Sequence, residues 1–199
     1  YITDNPELRH PENVATLEFF KREYFSRALM TISIAWNALL GGMNPYGYHL
    51  LNLTFHLLNA VLIFFIAMRA SGYFQLQRFG MTLTDFRVLS LTSALLFTIH
   101  PIQTESVLDI MGRSEVLSAT FYLAGVLLFQ VGLHDRAGAV WRYVLMPVGI
   151  FAVLFLGYSV KQTLITLPAV LLIYYLCGRT PDSLPIRILQ KGKWIFLAI

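Results

Sequence analysis

The stretch GYHLLNLTFHLLNAVLIFFIAM, residues 47–68, passes 22 positions without a charged side chain. A helix needs about 20 predominantly apolar residues to cross the hydrocarbon core of a bilayer, so this run constrains the fold more than any other feature of the chain. Others follow at 87–102, 116–133, 143–160 and, shorter, 163–177, and WIFLAI from Trp194 begins a sixth. Barrel strands alternate apolar and polar residues, whereas these runs are continuous, which selects helices. The expected fold is all-α, a polytopic transmembrane helix bundle with five spans and the start of a sixth. Composition agrees, with 56% hydrophobic and 13% charged residues against about 25% charged in an ordinary soluble domain. A single cysteine, Cys177, excludes an internal disulfide. The net charge of +4 comes without a basic cluster interleaved with aromatics, so nothing points to nucleic acid. The chain opens without a methionine and closes inside an apolar run too short to span, so a fragment of a longer protein is expected.

Residues 25–40 are apolar but number only 16 before Gly41, Gly42 and Pro45 break the run. That length is marginal for a span and fits an interfacial or re-entrant helix. The chain therefore divides into a loop with an interfacial helix, 1–46, and a transmembrane bundle, 47–199. Charge sets the orientation. Loops 69–87, 134–142 and 178–193 carry nine Lys/Arg and three acids, while 1–46, the 100–115 connection and the Lys161 turn carry six and eight. Excess Lys and Arg mark the cytoplasmic side. The second set, with Asp4, Asn5, the Arg27 region, the His100 loop and Lys161, is then expected on the non-cytoplasmic side.

Polar groups concentrate in the connection TIHPIQTESVLDIMGRSEVLSA, residues 98–119. Helix capping accounts for Thr104 and Ser114, and Glu115 suits the first turn of the third span. Capping does not account for Glu105, Asp109 and Arg113, whose spacing by four would set two carboxylates and a guanidinium on one helix face. Such a face serves either as an internal acid–Arg brace or as a surface towards a substrate. Lys161 has no acidic neighbour in sequence and sits beside Gln162 in a tight turn. It reads as a snorkelling lysine or as a site for an anionic headgroup. In the first span His49, Asn52, His56 and Asn59 fall within an arc of about 80° at 100° per residue. They serve either as interhelical hydrogen bonds, the reading preferred for Asn59, or as the lining of a polar cavity. No Cys or carboxylate spacing accompanies the histidines, so no metal is expected.

Four segments in order, YITDNPELR, NPYGYHLLNLTFHLLNAVLIFF, LLFTIHPIQTESVLDIMGRSEVLSATFYLAGVLLF and SVKQTLITLPAVLLIYYL, resemble a known family. It is the membrane part of the transmembrane-and-tetratricopeptide-repeat (TMTC-like) protein O-mannosyltransferases and their bacterial relatives, within the GT-C superfamily of polytopic glycosyltransferases. The resemblance runs from Tyr1 to Leu176, and HPIxTESVxxIxGRSExLSA is its strongest piece. It implies a GT-C-like bundle that transfers a sugar, mannose, from a polyprenyl or dolichyl phosphate to a protein hydroxyl with inversion. The partners implied are that lipid-linked donor, membrane lipid and an acceptor protein, with no further cofactor. The location implied is a bacterial inner membrane or the endoplasmic reticulum. Such chemistry needs a carboxylate base near the acceptor and cations on the leaving phosphate. The family's acidic pair would precede Tyr1, and among the residues present Asp4 and Glu105 are the candidates for the carboxylate. Arg27, Arg113 and Lys161 suit the donor phosphate, and His49, Asn52, His56, His100, Gln103 and Gln162 suit the sugar side of the cavity. Gln103 stands where the family motif has histidine, and Gln162 where it has glutamate. Both exchanges remove a titratable group, which keeps open a second reading as a non-catalytic, diverged scaffold subunit of a larger complex. A transporter is disfavoured, because all eleven acids fall outside the span cores.

Overall fold

The computed structural model describes residues 27–42, 44–73, 82–133 and 138–178. Asp4, Asn5 and the sixth apolar run lie outside the described residues. Among the described residues every regular element is a helix. Helix α1, Ala28–Gly41, ends where Gly42 adopts φ 60° and ψ −140°, a conformation that side-chain-bearing residues avoid. Pro45 opens α2, Pro45–Tyr73, at a position where its missing N–H costs nothing, and Asn44 Oδ1 accepts the Tyr46 N–H at 3.0 Å. Helix α3, Leu83–Ile99, starts from a reciprocal capping box between Thr82 and Asp85. It stops at His100, where the following Pro101 disfavours helical backbone.

The polar connection folds as a short helix α4, Gln103–Leu108, and a tight turn before α5, Arg113–Gly132. Asp109 has extended backbone at the end of α4. The expected continuous face of Glu105, Asp109 and Arg113 is thus not formed. Ser114 does not cap α5 either: Gly112 occupies that position, and the Ser114 hydroxyl donates to the Met111 carbonyl at 3.2 Å. A π-helical turn, Trp141–Leu145, leads into α6, Met146–Tyr158. It lies immediately ahead of Pro147, whose ring would otherwise press on the carbonyl four residues back. A 3₁₀ turn, Gln162–Thr166, leads into α7, Leu167–Gly178.

Helices α2 and α5 form the centre. Helix α3 packs on α2, α6 packs on α5, α7 rests against α5, and α1 lies against one end of α2 and α5. The α5–α6 seam is close because small residues sit on it. A side chain at Gly149 would meet Leu128 at 2.6 Å, and one at Gly132 would collide with Met146. At the α1 end Met30, Ile34 and Ala35 pack with Tyr48, Leu117 and Val160. The outer surface is the reverse of a soluble domain's. Leu53, Leu57, Val61 and Phe65 of α2, and Phe151 and Phe155 of α6, all face outward. Such extensive apolar exposure belongs in lipid. Among the described residues three helices are long and apolar enough to cross a membrane: Pro45–Ala70, Arg113–Gly132 and Trp141–Tyr158. The 17-residue α3 is shorter, as is the continuous Gln162–Gly178 segment. Helix α1, with 14 residues and outward-facing Trp36, Leu39 and Leu40, has the length and the apolar outer side of an interfacial helix.

Candidate functional site

Three segments far apart in sequence meet at one end of the bundle. The start of α1 is tied to the α6–α7 turn by a hydrogen bond from the Leu29 N–H to the Ser159 carbonyl at 3.1 Å, and the first turn of α5 lies beside both. They enclose a cavity of about 520 Å³. Arg27, Ser114, Glu115, Lys161, Gln162 and Thr163 give it polar walls, and Met30, Met111 and Val160 the apolar part. Lys161 Nζ pairs with the Glu115 carboxylate across 46 positions of sequence. With the two side chains 34% and 51% exposed, solvent screening holds such a pair to roughly 0–1 kcal/mol. The pair can therefore open for a competing anion. Arg27 is exposed at the N-terminal edge of α1. Among the described residues the cavity holds two cations and one carboxylate, one net positive charge.

Arg113 is not a cavity residue, although the sequence reading grouped it with Arg27 and Lys161. It is fully buried. Its Nε donates to Asn52 Oδ1 at 3.0 Å, Nη1 to the Ser33 carbonyl at 2.9 Å, and Nη2 to Asn37 Oδ1 at 3.3 Å and the Tyr48 carbonyl at 3.2 Å. The guanidinium also lies 5.5 Å from the centroid of the Tyr48 ring, within cation–π range. Four donated bonds leave little of the fork for a phosphate. Arg113 instead ties α1, α2 and the start of α5 together, beside the Ser114 and Glu115 that face the cavity.

The stripe on α2 turns inward and is largely consumed in the same way. Asn52 is fully buried and its amide donates to the Asp109 carbonyl at 2.9 Å. His56 Nε2 lies 3.2 Å from the Thr98 carbonyl, and its ring stacks on Phe97 at 5.0 Å. Asn59 donates to the Val116 carbonyl at 2.9 Å, the interhelical role expected of it. Asn52 and His56 are thus helix-to-helix ties and do not line the cavity. His49 is half-buried and does not line it either. His100 is exposed, and its Nδ1 accepts the Ile102 N–H at 3.2 Å, stabilising the end of α3. Gln103 begins α4 and Glu105 is exposed on it, and neither lines the cavity. Of the sequence candidates, Arg27, Lys161 and Gln162 come together.

Glu115 is the cavity residue that sequence reasoning passed over, because a helix first turn explained it well enough. The signal was present: Lys161 lacks an acidic neighbour in sequence, and Glu115 lies on the same side of the membrane by the charge count. Asn37, Ser33 and Tyr48 around Arg113 carried no comparable signal.

The helices and their apolar exterior define a multi-pass membrane protein with a polar cavity at one end of the bundle, net cationic among the described residues. No family model matches the chain, and no solved structure does. Among curated proteins, the chain is 32% identical to protein O-mannosyl-transferase TMTC1 of Mus musculus over 189 residues, covering 87% of this chain and 19% of that protein. It is 29% identical to TMTC3 of Mus musculus over 206 aligned residues, covering 98% of this chain and 20% of that protein. A third relative, TMTC2 of Mus musculus, is 33% identical over 103 residues, 52% of this chain. The chain is thus TMTC-like: its curated homologues are protein O-mannosyl-transferases of that family. It spans about a fifth of the length of the first two relatives.

Proposed function

We propose that this chain is part of a GT-C-type glycosyltransferase that moves mannose from a polyprenyl or dolichyl phosphate donor to a hydroxyl of an acceptor protein. The observation that carries the proposal is the Arg27–Glu115–Lys161 cavity, built from three distant segments in a chain homologous to O-mannosyl-transferases. Arg27 and Lys161 hold the donor phosphate, whose leaving charge they stabilise as the sugar–phosphate bond breaks. Among the described residues the cavity's one net positive charge matches the single negative charge of a phosphate diester. Gln162, Thr163 and Ser114 offer hydrogen bonds to sugar hydroxyls without further charge. The polyprenyl chain lies in a groove of about 460 Å³ between α5, α6 and α7, lined by Phe129, Met146, Leu154, Pro168, Leu172 and neighbours. Its lining begins seven residues beyond Lys161, at Pro168 of α7. The acceptor's proton passes to a carboxylate base.

The test uses the full-length protein with radiolabelled polyprenyl-phosphate mannose and candidate acceptors. Lys161→Ala should weaken donor binding by about ten- to a hundredfold, the effect of losing one charged contact of about 1.5–3 kcal/mol. Lys161→Arg should recover part of it. Transfer that proceeds indifferent to both Lys161→Ala and Arg27→Ala would remove the cavity from the reaction. The scaffold reading draws on Gln103 and Gln162 and on a cavity whose one carboxylate among the described residues is already engaged with Lys161. It requires that the wild-type protein transfer nothing under any of these conditions.

A further inference from the structure

We propose that Glu115 sets the phosphate charge that the cavity accepts. This inference rests on the donor-phosphate reading above. In the resting structure the Glu115 carboxylate occupies the Lys161 ammonium, the position an anionic phosphate oxygen would take. The pair is partly exposed, so an arriving phosphate displaces Glu115 at little cost. The displaced carboxylate does not leave, because it is fixed to the first turn of α5 beside the cavity. It remains as a negative charge facing the ligand.

The charge arithmetic makes this selective. Among the described residues Arg27 and Lys161 supply two positive charges and Glu115 one negative, all lining one cavity. A phosphate diester carries one negative charge and balances these three side chains. A phosphate monoester carries close to two at neutral pH, since its second pKa is about 6, and leaves one negative charge uncompensated. In the transfer the sugar–oxygen bond to phosphate breaks, a glycosidic bond to the acceptor oxygen forms, and the acceptor's proton passes to the base. The singly charged lipid diester thereby becomes a doubly charged lipid monoester. Glu115 favours the donor over this spent lipid and so promotes its release. Ser114, Gln162 and Thr163 add no charge that would blur the distinction.

The experiment measures binding of radiolabelled polyprenyl-phosphate mannose and of polyprenyl phosphate to full-length protein in detergent, above the monoester's second pKa. The soluble pair methyl mannosyl phosphate and methyl phosphate is run as competitors. Wild type should prefer the diester in both pairs. Glu115→Gln removes the repulsion at an exposed position and should shrink that preference by about two- to fivefold, the scale of one screened charge. Lys161→Ala should weaken both lipids. If Glu115→Gln leaves the diester-to-monoester ratio unchanged while Lys161→Ala weakens both lipids, the selectivity role is overturned and the phosphate site stands. If Lys161→Ala weakens neither, the phosphate reading itself fails. A ratio change confined to the lipids and absent from the soluble pair would assign the discrimination to the tail rather than to charge, and also overturns the role of Glu115.

Discussion

Arg113 is fully buried, yet none of its described partners is a carboxylate. Its charge is spread over the amide oxygens of Asn37 and Asn52, the carbonyls of Ser33 and Tyr48, and the Tyr48 ring. Buried charges persist only when hydrogen-bonded in this way. Arg113→Ala takes a donor from four neutral oxygens and should destabilise the fold, at about 1–3 kcal/mol for each acceptor that stays buried and unpaired. Arg113→Lys should recover only part, since an ammonium cannot reproduce the planar fork. Thermal unfolding in detergent reads both. His56 gives a contrasting case. His56→Phe keeps an aromatic ring against Phe97 and loses the contact to the partly buried Thr98 carbonyl, a loss of about 1 kcal/mol. Donor KM should not change, because His56 faces α3 and not the cavity. A tenfold rise in donor KM would restore the histidine to the sugar side.

At the scale of elements, the tight turn between α4 and α5 decides where the cavity residues stand. A Cβ at Gly112 would lie 2.5 Å from the Ser106 carbonyl oxygen. Backbone cannot swing aside as a side-chain end can, so Gly112→Ala should destabilise by about 1–3 kcal/mol and displace Glu115 with the first turn of α5. The measurement is unfolding in detergent together with lipid-phosphate binding, and the two losses should appear together. At Gly157 a Cβ would collide with Leu164 and approach Phe121 at 3.0 Å. Leu164 lies in the 3₁₀ turn that follows Lys161, so Gly157→Val should part α6 from that turn. Restoration by a second change, Leu164→Ala, would identify the clash as the cause.

For the whole molecule, the cavity brings together Arg27, Glu115 and Lys161 at one end of the bundle. These are the regions that the distribution of Lys and Arg assigned to one side of the membrane. The orientation expected from the positive-inside rule is tested by labelling. In a protein with Cys177 replaced by Ala, a cysteine at Thr104, which is exposed, should react with an impermeant reagent in intact cells. One at Val140, also exposed and in the 134–142 connection ahead of the fourth apolar segment, should not. The opposite pattern would invert the topology and place the cavity in the cytoplasm.

The continuous apolar runs determined the class of this protein, because a backbone in hydrocarbon must satisfy its hydrogen bonds within its own segment and a helix does so. Pro45 and the Gly41–Gly42 pair marked a break by local sterics, and the structure breaks there, whereas the run expected over 87–102 stops at Ile99, ahead of Pro101. The inward turn of Asn52, His56 and Asn59 followed from helical periodicity and the cost of polar groups facing lipid. What each polar group would meet did not follow. Arg113 and Lys161 look alike in sequence, cations beside spans, yet one is walled in by α1 and α2 and the other opens on a cavity. Glu105, Asp109 and Arg113 share a helical spacing that the turn at Asp109–Gly112 annuls. The partner of Lys161 stands 46 positions away, on a helix that only the packing of α5 against α6 and its following turn brings near. A charge's partner is set by which segments come within a few ångströms, and local pattern carries no record of that distance.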